Sequence, residues 1–262
     1  MEIADSYGIP VIEDAAEGFG SRFKGQVLGT FGRYGVLSFN GNKMITTSGG
    51  GALICPDKEE AREILWYATQ ARESYPYYQH EAIGFNYRMS NICAGIGRGQ
   101  MTIADKHIAH HRHVQALYEE LLNDVEGITM HVNPEADFDS NNWLCTATID
   151  RDVRIKGQEK AYRQLVSGAV GGAAGVTHAA STAMTDCQPN DNVEALRMAL
   201  DAANIESRPL WKPMHKQPVY RNNPSYINGT SESLFKTGIC LPRCCKSRRH
   251  RCKPGSTGRF HV

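Results

Sequence analysis

Three side chains near the start of the chain could act together on one small molecule: the carboxylate of Asp14, the hydroxyl of Ser38 and the amine of Lys43. Asp14 closes the apolar run IPVIED, and Ser38 falls at the end of RYGVLSF, both of which read as short strands. Lys43 follows Ser38 by five residues, in a polar connection that leads to a further apolar run, GGGALIC. Ligands of open α/β sheets gather beyond the carboxyl ends of strands, so two such strands in one sheet would bring the three groups to one crevice. Taken singly, each has an ordinary explanation: a cap, a turn residue and a solvated lysine. Taken together they suit pyridoxal 5′-phosphate (PLP). The amine can form a Schiff base with the aldehyde, and the carboxylate can keep the pyridine nitrogen protonated. The hydroxyl and nearby backbone N–H groups can hold the phosphate.

The elements that must position these residues follow from the local patterns. Strands are expected over residues 9–14, 34–39 and 52–55, joined by the glycine-rich connection GFGSRFKGQVLGTFG and the Lys43 loop. Asp57 and Glu60 form a capping-box pattern for a helix reaching Arg72. Ile92, Ile96, Ile103, Ile108, Val114, Leu117 and Leu121 recur at helical spacing, which predicts one long helix ending near Gly127. NWLCTATID reads as a strand, and Asp191 with Glu194 can cap a helix carrying Val193, Leu196, Leu200 and Ala203 on one face. The interleaving of strands and helices argues for α/β architecture. The Gly/Ala-rich stretch SGAVGGAAGVTHAAS (167–181) follows no clear strand and opens no clear helix, so it reads as an inserted loop rather than a nucleotide loop.

The chain has 262 residues, is 41% hydrophobic and carries a formal net charge of +1, ordinary values for a globular protein with one large or two modest domains. The charge is uneven. Seven Lys or Arg and no Asp or Glu lie between Arg243 and Val262, so the body is acidic and gives no reason to expect nucleic acid or an anionic membrane. There is neither a signal-peptide pattern at the start nor an apolar stretch of membrane-spanning length. Eight cysteines include no CxxC pair, and Cys55, Cys93 and Cys145 sit in apolar contexts that suit reduced, buried thiols. These features together lead one to expect a cytoplasmic protein. The run HIAHHRH places His107 and His111 at i,i+4 spacing, but without an accompanying carboxylate or cysteine in a ligand pattern it reads as a solvated helix face, and no metal site is expected.

Four segments in order, VIEDAAEGFGS, SFNGNKMITTSGGG, QARESYPYYQHEAIGFNYRMSNICAGIGRGQ and NIESRPLWKPMH, resemble the DegT/DnrJ/EryC1/StrS family of sugar aminotransferases over most of residues 3–242. The resemblance implies a fold-type-I PLP-dependent transferase, aspartate aminotransferase-like. The large PLP-binding domain would be partial (1–105), followed by a linking helix with a small α+β domain (106–242) and a basic tail (243–262). It assigns Lys43 as the lysine that binds the cofactor and moves the substrate proton, and Asp14 as the partner of the pyridine nitrogen. Glu17 packs beside the ring, Ser38 holds the phosphate, and Asn86 reaches the phosphate from the neighbouring subunit of a homodimer with shared sites. A lysine at 43, where dehydratase relatives carry histidine, favours transamination, with glutamate as the expected donor and a keto sugar nucleotide as acceptor. The wording of SFNGNKMITTSGGG is most similar to enzymes acting on UDP-linked 4-keto-6-deoxy-N-acetylhexosamines, in the supply of cell-surface polysaccharide or glycan precursors. Arg88, Arg208, Lys212 and His215 are candidates for the sugar nucleotide or the donor carboxylate, because guanidinium and ammonium groups suit phosphate and carboxylate. Arg88 has the alternative of pairing with a carboxylate at the subunit interface.

Two departures from the family bear on these expectations. The first motif stands almost at the start of the chain, where relatives have an upstream segment supplying several strands and a Gly-Thr turn for the phosphate. The tail CCKSRRHRCKPGSTGRFHV has no amphipathic pattern and is expected to be disordered. A non-catalytic remnant serving folding or dimerisation is therefore the rival to a sugar aminotransferase. A third reading is a basic arm or a knuckle built from Cys240, Cys244, Cys245, His250 and Cys252, whose spacing fits no standard zinc module.

Overall fold

The structure is a computed structural model and describes residues 1–156 and 187–243. The Gly/Ala-rich stretch and the tail from Cys244 onward lie outside the described residues. In chain order the first elements are α1 (Glu2–Ser6), β1 (Ile12–Asp14), β2 (Arg22–Phe23), β3 (Gln26–Val27), β4 (Tyr34–Ser38) and β5 (Gly51–Ile54). Then come α2 (Lys58–Ala68), α3 (Asn91–Met101), α4 (Ala104–Leu122), β6 (Ile128–Met130), β7 (Phe138–Asp139) and β8 (Cys145–Ile149). The last are α5 (Asp191–Ala202), β9 (Arg208–Pro209), α6 (Thr230–Thr237) and β10 (Gly238–Leu241). Two compact units result, one from Met1–His113 with Asn133–Trp143, the other from Val114–Val132 with the described residues from Leu144 on.

In the first unit β4 is the central strand of a three-stranded sheet, parallel to β1 and antiparallel to β5. Asp14 pairs with Val36, so Ser38 lies two residues further along the neighbouring strand on the same face, about 7 Å on. On the opposite face Glu13 turns inward. Its carboxylate accepts the backbone N–H groups of Gly29 (2.8 Å), Gly32 (2.6 Å) and Phe31, and so staples the 29–32 turn onto the sheet. The turn lies so close that a Cβ at Gly35 would sit 1.9 Å from the Gly29 carbonyl oxygen, which is why β4 carries glycine there. Gln at position 13 keeps one acceptor but aims an NH2 at N–H donors. With hydrogen bonds to charged groups worth about 1.5–3 kcal/mol each, Glu13→Gln is expected to destabilise the chain by about 2–4 kcal/mol. Thermal denaturation checks this, and an unchanged midpoint would remove the staple from the account.

The second unit is built on a four-stranded antiparallel sheet in the order β6-β8-β10-β9. Along β8 the alternation in CTATI buries Cys145, Ala147 and Ile149 and leaves the two threonines half-buried. Ala147 and Ile149 pack with Ile239 of β10 and Val193 of α5, flanked by Ile128, Met130, Leu196 and Leu200. Burial of this kind contributes roughly 1.5–3 kcal/mol for each large side chain. Burial, with Glu119 nearby, pushes the Cys145 thiol up to about 11, so it stays protonated at neutral pH.

Several local expectations are corrected. The single helix expected from Ile92 to near Gly127 is two: α3 ends at Met101 with Thr102 at its C-cap, where the Thr102 hydroxyl donates to the Gly99 carbonyl (2.7 Å). Helix α2 stops at Ala68 rather than Arg72, since Gln70 (φ 71°) and Ala71 (φ 48°) take left-handed conformations. Asp57 caps it as expected, accepting the Glu60 N–H at 2.8 Å, while the Glu60 carboxylate is taken up by Arg33 and Tyr34. Helix α5 is preceded by Asn190 at its cap position, and Glu194 pairs with Arg197 instead of capping. The glycine-rich connection between β1 and β4, to which the sequence pattern assigns no element, contains the β2–β3 hairpin, and β7 adds a third strand to it. Of the three cysteines expected to be buried, only Cys145 is; Cys55 and Cys93 are half-buried.

Candidate active site

Lys43 leaves β4 through a turn in which its own N–H donates to the Asn40 carbonyl (3.0 Å). The following residues Met44, Ile45 and Thr47 are buried, so the loop is anchored inward. Its side chain is 13% exposed, and the amine lies 2.9 Å from Oε1 of Glu17. The amine also sits 4.7 Å from the centroid of the Trp143 ring, within the range of a cation–π contact. A charged amine this sheltered is tolerated because an anion and a ring face compensate for lost hydration.

Glu17 reaches the lysine from the connection after β1, where Asp14 Oδ1 accepts the Ala16 N–H at 3.1 Å. Asp14, Glu17 and Lys43 line one open cleft of about 500 Å³, together with Glu13, Ala15, Ala16, Gly18 and Leu28. Ser38 stands at the end of β4 on the Asp14 face, its hydroxyl 3.4 Å from the Asn40 N–H it accepts, and is not part of the cleft lining. Asn86 is exposed, paired in an antiparallel bridge with Thr69, and Arg88 is exposed two residues on. This segment presents Ile83, Phe85 and Tyr87 to solvent, with the Phe85 and Tyr87 rings stacked at 5.1 Å. The structure thus brings together Asp14, Glu17 and Lys43 and holds Ser38 near them on the same sheet face. Asn86 and Arg88 lie on the exposed segment.

The other candidates belong to the second unit. Arg208 bonds Glu206 through Nε (3.0 Å) and Nη2 (2.7 Å), and the Lys212 amine donates to the Cys187 carbonyl (3.1 Å). His215 Nε2 meets Glu232 Oε1 at 2.9 Å, with Lys216 and Lys236 beside the same carboxylate. The His215 hydrogen bond, joined by the charge of Lys216, holds Glu232 below the usual carboxylate range although burial works the other way. A carboxylate lowered in the folded chain contributes stability above its ordinary value of 4.5 and loses it as pH falls through the lowered value. Glu232→Gln is accordingly expected to lower the thermal midpoint at neutral pH, and the gap from the parent chain should close below pH 4.5. A gap independent of pH would rule the ion pair out as its source.

Sequence reasoning missed Glu13, Asn141 and Trp143. Asn141 Nδ2 donates to the carbonyls of Glu17 (2.8 Å) and Phe19 (2.9 Å), and the Trp143 indole N–H donates to the Asn42 carbonyl (2.7 Å). The one signal was the placement of polar NN before an apolar strand, which by itself does not reveal such distant partners. In the histidine run, His107 Nδ1 lies 3.4 Å from the Met44 carbonyl. Among the described residues no group of three His, Cys, Asp or Glu side chains could hold a metal ion, and no helix is long and apolar enough to cross a membrane.

A model of the DegT/DnrJ/EryC1/StrS aminotransferase family matches residues 1–174. Among curated proteins, EpsN of Bacillus subtilis (strain 168), named as a pyridoxal phosphate-dependent aminotransferase, is 38% identical over 246 residues, covering 92% of this chain and 53% of its own length. GDP-perosamine synthase of Escherichia coli O157:H7 is 32% identical over 242 residues, covering 92% of this chain and 55% of its own. Among solved structures, the aminotransferase TlmJ from Streptoalloteichus hindustanus superposes with a TM-score of 0.71 at 20% identity, over 92% of this chain and 55% of that one. The chain therefore spans about half the length of the relatives it matches.

Proposed function

The chain belongs to the DegT/DnrJ/EryC1/StrS aminotransferase family, and on that premise we propose that it serves the transfer of an amino group from glutamate to a keto sugar nucleotide. Its fold is that of the fold-type-I PLP-dependent transferases, mixed α/β and partial, and PLP is the family's cofactor. The observation that carries the proposal is the sheltered Lys43 amine, held 2.9 Å from Glu17 at a cleft that Asp14 also lines. These donors fit the group: a primary amine for its aldehyde, and a carboxylate at a strand end for its ring nitrogen.

When bound, PLP supplies an aldehyde carbon that takes up amines and a ring that accepts electrons from the neighbouring carbon. Lys43 would hold the cofactor through its amine and, once released from it, would move a proton to and from the substrate carbon. Asp14, at the end of β1 and lining the cleft, would keep the ring nitrogen protonated. Glu17, whose carboxylate pairs with the Lys43 amine at 2.9 Å, would flank the ring. Ser38 would bind the phosphate. Asn86 serves the site of a second copy, which the exposed Ile83, Phe85 and Tyr87 around it support as a homodimer contact. Arg88, Arg208, Lys212 and His215 are assigned to the donor carboxylate and the sugar nucleotide. The perosamine synthase name concerns a GDP-linked sugar, whereas SFNGNKMITTSGGG favours a UDP-linked 4-keto-6-deoxy-N-acetylhexosamine. Supply of precursors for cell-surface polysaccharide, in the cytoplasm, is the context this chemistry suits.

The test is direct. The protein is incubated with PLP and glutamate, then with UDP- or GDP-linked 4-keto-6-deoxy sugars, and products are followed by mass spectrometry. The expected result is 2-oxoglutarate together with a 4-amino sugar nucleotide, formed faster from the UDP sugar. PLP captured on Lys43 with no transfer to either sugar would overturn the proposed acceptor class.

A further inference from the structure

We propose that Trp143 is a positioning residue for Lys43, held in place by Asn141; the inference deepens the proposed function and rests on it for its catalytic meaning. Two arms converge on the lysine from the segment just before β8. In one, the Trp143 indole N–H donates to the carbonyl of Asn42, the residue immediately preceding Lys43, at 2.7 Å. The ring of the same side chain offers its face to the amine at 4.7 Å. In the other, Asn141 Nδ2 donates to the Glu17 carbonyl, and Glu17 returns its carboxylate to the amine at 2.9 Å. Asn141 ties the arms together, since its Oδ1 accepts the Trp143 backbone N–H at 2.8 Å and its own N–H donates to Ser21 Oγ at 2.9 Å. Between them Asn142 adopts φ 49°, a left-handed conformation that Asn tolerates better than most residues.

A tryptophan kept only to fill space needs neither contact. Both Asn141 and Trp143 are buried, at 3% and 7% exposure, so the frame does not depend on solvent. The amine can leave Glu17 for another partner while Trp143, fixed through its indole N–H and its backbone N–H, stays where it is. Trp143 thereby defines the position to which the amine returns.

Competitive acylation with acetic anhydride tests this on the chain alone, without cofactor. The rate at Lys43 is read by mass spectrometry against the exposed Lys58 and Lys106. In Trp143→Leu, which removes the ring face, Lys43 should react roughly threefold to thirtyfold faster, the range a lost cation–π contact implies. Trp143→Phe should restore most of the protection. Because Trp143→Leu risks unfolding, fluorinated tryptophans of increasing substitution at position 143 provide an isosteric series, and the Lys43 rate should climb with each fluorine. A flat fluorine series, or equal rates in the Leu and Phe variants, would overturn the role of Trp143. Borohydride fixation of PLP is scored on the same samples. Failure to fix it on Lys43 in the parent chain would overturn the proposed function and leave the acylation result standing, so the two failures are distinguishable.

Discussion

Lys43→Ala is expected to abolish covalent capture of PLP and to lower amino transfer by at least about 10³-fold, the scale on which removing a group that acts both as nucleophile and proton carrier is felt. The loss should be chemical rather than structural. The loop is anchored by Met44, Ile45 and Thr47, none of which the substitution touches. What does change is the charge balance, since Glu17 and the Trp143 face lose their cation. Lys43→Arg separates the two effects: a guanidinium keeps a positive charge near Glu17 but supplies no nucleophilic amine at neutral pH. The expected pattern is normal thermal stability for the Arg variant with no visible absorbance from bound cofactor and no pyridoxyl peptide after borohydride reduction. Pyridoxyl found on another lysine in the Ala variant, with transfer at the parental rate, would remove Lys43 from the chemistry.

How much of this was legible in the sequence depends on how local each feature is. The strands Tyr34–Ser38, Gly51–Ile54 and Cys145–Ile149 lie within short runs of apolar and β-branched residues, a local signal that made them visible. The Asp57 cap is a contact across three residues and was equally visible. The Lys43 loop was singled out by residue type, and its place beside Asp14 followed from a sheet rule and a family resemblance. Trp143 and Asn141 reach partners 101 and 124 residues away, so no window of sequence contains both ends of the contact. Glu13 and Asp14 look alike as a carboxylate pair. Only the register of β1 against β4 decides that one faces the 29–32 turn and the other shares a face with Ser38. The break between α3 and α4 falls at Thr102 and Ile103, inside a run whose hydrophobic periodicity continues across it and so does not register it. Arg208 and His215 were chosen for charge, and charge alone gave no hint that Glu206 and Glu232 already engage them.

Asp14→Asn is expected to leave the fold intact and to slow amino transfer by on the order of 10²-fold or more, comparable to removing one preorganised electrostatic contact from an active site. The local structure permits so clean a comparison. Asp14 accepts the Ala16 N–H through Oδ1 at 3.1 Å, and the amide oxygen of Asn accepts it as well, so the turn after β1 keeps its hydrogen bond. The Glu13 staple on the other face is untouched. What Asn cannot do is carry the negative charge that keeps a pyridine nitrogen protonated, and a neutral ring withdraws electrons far less effectively. The prediction therefore divides the two explanations offered for this residue by its type alone. If Asp14 is only a turn former, Asn substitutes for it, and PLP affinity, borohydride capture at Lys43 and transfer rate are all parental. If it is the partner of the ring nitrogen, capture at Lys43 persists, because the amine is intact, while transfer falls and the bound cofactor's absorbance shifts. Loss of both capture and stability would contradict the contact geometry, since the one bond that Asp14 makes to the backbone is a bond that Asn can make.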